Sequence, residues 1–181
     1  MLGDTQIKKH HEGQFNSVQL NIVTFIDLEK AVTGGKLEGA YWMMDNSIGS
    51  TGQGTEHLQT VCKQGQILNW IIYAMDSDKR AEGTWPPMPR INNIVFLDTQ
   101  LGDEETVAEA KVCTEFKVYG MPDQIHSELT PVYHYWAGMV LCHLKPGVYS
   151  YRFVIELGQD GMKERIFLQS TRKPSLKVLE M

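Results

Sequence analysis

Several carboxylates lie at or near the predicted ends of strands, where loops from different strands could bring them together. Carboxylate oxygens are the ligands that a hard cation such as Ca²⁺ prefers, so the pattern suggests a divalent cation as the one candidate cofactor. Because Asp also caps turns, a purely structural role is the alternative, and no EF-hand spacing identifies a metal. The candidate ligand-binding residues are Asp27, Asp45, Asn46, Ser47, Asp76 and Asp78, with Gln53 and Thr55 as hydrogen-bonding groups beside them.

The remaining residues that could do chemistry do not form a recognisable catalytic pattern. His134 and His143 are nine positions apart in one predicted strand, so alternation sends their side chains to opposite faces. The chain has no H-E-x-x-H motif, no G-x-S-x-G elbow and no phosphate loop that opens a helix. Gly52-Gln53-Gly54 lacks the strand-to-helix flanks of a dinucleotide site. We therefore expect a protein that is not an enzyme.

Length and charge limit the classes of protein to consider. The 181 residues are enough for one domain with a sizeable core, and the formal net charge of −5 argues against nucleic acid as a partner. No apolar run is long enough to span a membrane, and the N-terminus has Lys and His where a signal peptide needs apolar residues. We expect a tail over 1–16, one domain over 17–172 and a second tail over 173–181.

Cysteine usage indicates a reducing compartment. The three cysteines, Cys62, Cys113 and Cys142, lie among apolar or β-forming residues and form no C-x-x-C pair. An odd number cannot all pair within one chain, so we expect buried free thiols and a cytoplasmic protein.

Period-two alternation of apolar and polar residues dominates the chain and predicts an all-β fold. Eight or nine short strands separated by Gly and Pro favour an antiparallel β-sandwich, immunoglobulin-like or jelly-roll, with at most one short helix at 103–110. One segment, 66–75, is apolar on both faces apart from Asn69, which places it in the middle of a sheet or between layers. The predicted strands cover 18–26, 41–45, 66–75, 91–97, 112–119, 132–144, 148–157 and 165–170.

Nine Met and four Trp suggest a surface through which copies of the chain could associate. Met is a pliable filler of cores, but exposed Met and Trp on loops would make adhesive patches. The candidate self-association residues are Trp85, Met88 and Met121.

The sequence between Tyr41 and Asp78 resembles the bacterial inclusion body family PixA, also called PixA/AidA-like. The resemblance is carried by Met44-Asp45-Asn46-Ser47, Gly52-Gln53-Gly54-Thr55, Leu58, Gly65-Gln66 and Leu68-Asn69-Trp70. It implies a bacterial cytoplasmic protein of the kind that accumulates as crystalline, methionine-rich inclusions, and it supplies no catalytic residue.

Two functions from different classes remain open. The first is a structural or storage protein that self-associates into a homo-oligomer or a higher assembly, without nucleic acid or membrane as partner. The second is a ligand-binding sandwich whose strand-end loops hold a divalent cation or a carbohydrate, with the small ligand itself unknown.

Overall fold

The computed structural model describes residues 19–75, 89–97, 109–120, 134–158, 165–171 and 173–181. Within these ranges the chain is mostly β, and its one helix has seven residues. The elements, in chain order, are β1 (Leu20–Asp27), α1 (Leu28–Gly34), β2 (Tyr41–Asp45), β3 (Gln59–Lys63), β4 (Ile67–Met75), β5 (Arg90–Leu97), β6 (Lys117–Tyr119), β7 (His134–Met139), β8 (Gly147–Leu157), β9 (Ile166–Gln169) and β10 (Ser175–Leu179).

The strands form two sheets. Sheet A has the order β2-β1-β4-β7-β6, and sheet B has the order β3-β10-β8-β5, with β9 paired to β8. Most pairs are antiparallel, but β1 with β4 and β10 with β3 are parallel. The strands of each parallel pair are far apart in sequence, as a parallel pair requires a long crossover connection.

Apolar side chains on the facing sides of the two sheets form one core. Trp70 of β4 is fully buried, and its ring centroid lies 5.9 Å from that of Phe96 in β5 and 6.2 Å from that of Tyr151 in β8. These edge-to-face contacts join sheet A to sheet B at the middle of the sandwich.

The prediction of an all-β sandwich with at most one short helix is confirmed. The sheets differ from the prediction in being mixed, because alternation fixes which face a side chain takes but not the direction of the neighbouring strand. The helix α1 begins at the N-cap Asp27 and ends before Gly35, which has the left-handed backbone (φ 61°) typical of a helix end. Of the helix predicted over 103–110, residues 103–108 lie outside the described residues, and Glu109 pairs with Leu97 as a β-bridge.

Three strand predictions need correction. The tail predicted over 173–181 contains β10, whose Leu176 and Val178 are buried between β3 and β8. The strand predicted over 132–144 stops at Met139, because a turn follows in which the N–H of Leu144 donates to the carbonyl of Leu141. Of the predicted strand 112–119, only β6 forms a regular strand. The predicted tail over 1–16 lies outside the described residues.

Candidate functional site

Asp45 lies at the end of β2 and joins the two sheets. Its Oδ2 accepts a hydrogen bond from the hydroxyl of Thr60 in β3 at 2.6 Å, and Thr60 is fully buried. Its Oδ1 accepts from the backbone N–H of Ser47 at 2.9 Å and from Nε2 of Gln53 at 2.8 Å. The hydroxyl of Ser47 in turn donates to the carbonyl of Val61 in β3. Both carboxylate oxygens of Asp45 therefore accept hydrogen bonds from protein donors. We call Asp45 with its partners Ser47, Gln53 and Thr60 the Asp45 clamp.

The turn before β3 holds Gln53 in place for this clamp. Gly52 has a φ of +76°, and a Cβ at this position would lie 2.5 Å from the carbonyl oxygen of His57. Only glycine fits there, and the turn returns Gln53 to Asp45, whose backbone N–H donates to Oε1 of Gln53 at 2.9 Å. Thr55 also stays within the turn, since its hydroxyl donates to the carbonyl of Gly52 at 2.8 Å.

Asp27 serves the helix α1 at the other end of sheet A. Its Oδ1 accepts from the backbone N–H of Lys30 at 3.1 Å, and its Oδ2 lies 3.2 Å from Nζ of Lys30. These contacts, led by the backbone hydrogen bond, lower the pKa of the Asp27 carboxyl. Asp27 is thus a helix N-cap, the structural role that short polar side chains favour.

The structure does not bring Asp27 and Asp45 together. In the antiparallel pair of β1 and β2, Asp45 pairs with Ile22, and Asp27 lies five residues further along β1. At a strand rise of roughly 3.3 Å per residue, the two carboxylates are about 16 Å apart along the sheet. Asn46 stays beside Asp45, where its Oδ1 accepts from the backbone N–H of Asn21 at 2.8 Å. A single cation site built from both aspartates therefore cannot form.

Other predicted site residues fall outside the described ranges. These residues are Asp76, Asp78, Trp85, Met88 and Met121. In the part of the chain that the structure describes, no group of three or more His, Cys, Asp and Glu side chains could hold a metal ion. The same part contains no helix long and apolar enough to cross a bilayer.

His134 makes a second contact between the sheets. It is buried at the start of β7, and its Nδ1 accepts the backbone N–H of Ile91 in β5 at 3.1 Å. Burial, with a smaller contribution from Arg90, lowers the pKa of His134 to about 4. His143 is exposed beyond the end of β7, so the two histidines do not share a strand.

The cysteines divide into two buried thiols and one exposed thiol. Burial raises the pKa of Cys62 to about 12 and also raises that of Cys113, so neither provides a thiolate near neutral pH. Cys142 is exposed, which corrects the expectation that all three are buried. Cys142 lies in the turn that follows β7 and not inside a strand.

The outer face of sheet A is apolar, which the sequence predictions missed. Apart from one row that holds Asn21, Asn69, Ala137 and Lys117, its rows of cross-strand neighbours are aromatic or aliphatic. The ring of Phe25 stacks between those of Trp42 and Tyr73, and Tyr119 stacks on Tyr135 at 4.5 Å. We call this surface the aromatic face; it comprises Val23, Phe25, Trp42, Met44, Ile67, Ile71, Tyr73, Met75, Tyr119, Tyr135 and Met139.

Exposure on the aromatic face is substantial. Met44 is 47% exposed and Met75 is 50% exposed, and Ile67, Tyr73 and Tyr119 are exposed as well. Within the described residues, the strand positions on this side of the sheet carry two charged groups, Asp27 at the end of β1 and Lys117 on the edge strand β6, and Glu115 lies beside Lys117. The outer side of a sandwich sheet ordinarily carries polar residues, so an exposed patch of this kind is typical of an interaction surface.

Sheet B provides an internal comparison. Its outward positions include a charged residue on each of the strands β3, β8 and β10, namely Lys63, Arg152, Glu156 and Lys177. Apolar residues lie between them, and of these Phe167 of β9 is 53% exposed and Leu179 of β10 is 38% exposed. Among the described residues, the outer face of sheet A is therefore mainly apolar, whereas that of sheet B mixes charged and apolar residues.

Comparisons with known proteins agree with the fold. Residues 18–84 match the family described as "Domain of unknown function (DUF8788)". No curated protein matches the chain. Among solved structures, the chain is similar to the crystal structure of the inclusion body protein PixA from Burkholderia cenocepacia, with 12% sequence identity and a TM-score of 0.53. The match covers 92% of this chain and 99% of that one, so the two proteins share a fold over nearly their whole lengths.

Proposed function

We propose that this chain is a self-associating structural protein of the inclusion-body type, and that its copies join through the aromatic face. The observation that carries the proposal is the exposed apolar surface of sheet A, in contrast to the outer surface of sheet B, where charged residues lie among the apolar ones. The similarity in fold to PixA, which is described as an inclusion body protein, supports the same assignment. The proposal places the protein in the bacterial cytoplasm and assigns no reaction to it.

The size of the aromatic face suits a contact between two copies. Sheet A has five strands. With a strand spacing of about 4.8 Å and strands of about six residues, the face measures roughly 24 Å by 20 Å. Two such faces together bury on the order of 1,000 Å², which is about the lower limit for a specific interface.

The charges around the aromatic face are compatible with pairing of identical surfaces. A two-fold interface brings the same patch of both copies together, so a patch with a large net charge would repel itself. Asp27 is paired with Lys30, and Lys117 lies beside Glu115, so the charges around the face balance. Apolar burial would then provide the main free energy of association.

The proposal is tested by sedimentation velocity over a concentration series. We expect the unmodified protein to be a dimer or larger at micromolar concentration. The double variant Met44→Ser/Met75→Ser removes two exposed side chains of the aromatic face, and we expect its dissociation constant to rise at least tenfold, because about 1.4 kcal/mol of lost contact suffices. Phe167→Ser removes an equally exposed side chain from sheet B and is the control.

Two results would overturn the proposal. One is an unmodified protein that stays monomeric up to the highest soluble concentration. The other is a double variant that associates as tightly as the unmodified protein while Phe167→Ser weakens association, which would move the interface to sheet B.

A further inference from the structure

Asn69 is a polar residue in the middle of an otherwise apolar strand, and it is only 8% exposed. Its side chain lies on the outer side of sheet A, between Asn21 of β1 and Ala137 of β7. The Nδ2 group of Asn69 donates to Oδ1 of Asn21 at 2.9 Å and to Oε1 of Gln19 at 3.3 Å. We call Gln19, Asn21 and Asn69 the amide triad.

The hydrogen bonds within the amide triad fix the direction of its remaining polar groups. Asn69 uses its NH₂ donors on the two neighbouring carbonyl oxygens, so its own Oδ1 is left as an acceptor. The side-chain carbonyl oxygens of Gln19 and Asn21 point towards Asn69. The NH₂ groups of Gln19 and Asn21 therefore point away from Asn69. The triad therefore presents oriented donors and an acceptor on the outer side of the sheet, as a preorganised polar site requires.

A groove lies directly beside the amide triad. In the cross-strand row from β4 to β6, the small residue Ala137 separates Asn69 from Lys117, so the row has a gap where larger side chains would stand. The groove has a volume of about 300 Å³, and the stacked rings of Tyr119 and Tyr135 form one of its walls.

The chemistry of the groove favours one class of ligand. Lys117 and Glu115 both line it, so their charges balance and neither an anion nor a cation is preferred. Side-chain amides form directional hydrogen bonds with hydroxyl groups, which both donate and accept. An aromatic wall offers an apolar surface for the C–H side of a sugar ring. A volume of about 300 Å³ lies at the small end of ligand sites.

We propose that the groove beside the amide triad binds a neutral saccharide, with the amides and Lys117 contacting its hydroxyl groups and the tyrosine wall contacting its ring. This site lies on the face of sheet A, whereas the strand-end loops predicted from sequence use their polar groups for the Asp45 clamp. The groove shares Ile67, Tyr119, Tyr135 and Met139 with the aromatic face, so a bound saccharide and a paired copy would compete for this surface.

The test is isothermal titration calorimetry with methyl glycosides of glucose, galactose, mannose and N-acetylglucosamine and with the corresponding disaccharides. Ala137→Phe fills the groove, and we expect it to weaken binding at least tenfold. Gln19→Met keeps the length of an exposed side chain but removes its amide, and we expect a several-fold loss. Phe167→Ser, on sheet B, should bind like the unmodified protein. Met44→Ser/Met75→Ser, which weakens self-association, should bind at least as tightly as the unmodified protein, so its titration separates binding from self-association.

The proposal is overturned if no glycoside in the panel binds to Met44→Ser/Met75→Ser, or if Ala137→Phe folds and binds as tightly as the unmodified protein. Thermal unfolding of each variant shows whether it is folded. Should Ala137→Phe fail to fold, Gln19→Met and Lys117→Met decide the matter, and unchanged affinity in both overturns the proposal.

Discussion

Asp45 and Asp27 have the same side chain and different structural tasks. Asp45 accepts a hydrogen bond from the fully buried Thr60 and so connects sheet A to sheet B. Asp27 caps an exposed helix end. Removing an acceptor from a buried donor leaves that donor without a partner, which is more destabilising than the loss of an exposed cap.

We therefore expect Asp45→Ala to reduce the free energy of unfolding by about 2–3 kcal/mol and Asp27→Ala to reduce it by about 1 kcal/mol. Urea unfolding followed by tryptophan fluorescence measures both values. Equal losses, or a larger loss for Asp27→Ala, would contradict the clamp at Asp45.

His134 makes stability depend on pH. In the folded chain its pKa is lowered from 6.5 to about 4, so the neutral ring accepts the Ile91 N–H at acidic pH where the unfolded chain is already protonated. Stability from this group is fully present above pH 6.5 and is lost as the pH falls from 6.5 towards 4. The loss is on the order of 3 kcal/mol if the ring stays fully buried.

The measurement is urea unfolding at a series of pH values between 4 and 8. His134→Gln keeps an oxygen acceptor for Ile91 without a titrating ring, and we expect it to flatten the dependence between pH 4 and 6.5. His143→Gln, at an exposed position, should leave the dependence unchanged. A steep dependence that survives in His134→Gln would contradict this role.

Residue identity alone could not show which predicted site residues meet. The sequence places Asp45, Asn46 and Ser47 together, and they do lie together, because they are consecutive. It also groups Asp27 with Asp45, but the register of β1 and β2 sets them at opposite ends of the pair. The partner Thr60 lies in a strand that was not predicted, so the clamp could not be found from sequence.

At the scale of elements, β10 completes sheet B. It lies between β3 and β8, pairs in parallel with the first and antiparallel with the second, and buries Leu176. Because an inner strand bonds on both sides, its loss would leave β3 without a neighbour and part of one edge of β8 unpaired.

We expect Leu176→Ala to reduce the free energy of unfolding by about 2–5 kcal/mol, since it opens a cavity in the core. Leu179→Ala, in the same strand but exposed, should cost less than about 1 kcal/mol. Thermal or urea unfolding of the two variants provides the comparison. Similar small losses for both would mean that β10 is not an integral part of sheet B.

All four long strands were predicted, and of the short strands β2 and β9 were predicted whereas β3 and β10 were not. β1, β4, β5 and β8 have eight to eleven residues, and all four were predicted to within two residues at each end. β3 and β10 have five residues each and pair with each other in parallel, so their stability comes from contacts across more than 100 positions of sequence. A local pattern carries no information about such a contact.

At the scale of the whole molecule, the sandwich could be predicted but its unusual surface could not. Alternation assigns every second residue to the core and leaves the other face for water. Strand β4 carried the one signal against this, because it is apolar on both faces. The second apolar face of β4 predicts burial within the molecule, whereas the structure exposes Ile67, Tyr73 and Met75 on the aromatic face.

The measurement that tests the central proposal most directly is hydroxyl-radical footprinting by mass spectrometry at low and high protein concentration. Oxidation of Met follows its exposure, and the chain contains its own control. Met44 and Met75 lie on the aromatic face, while Met181 is 77% exposed at the C-terminus. We expect Met44 and Met75 to become protected as the protein assembles, with Met181 unchanged. Assembly that leaves Met44 and Met75 as reactive as in the monomer would contradict an interface on the aromatic face.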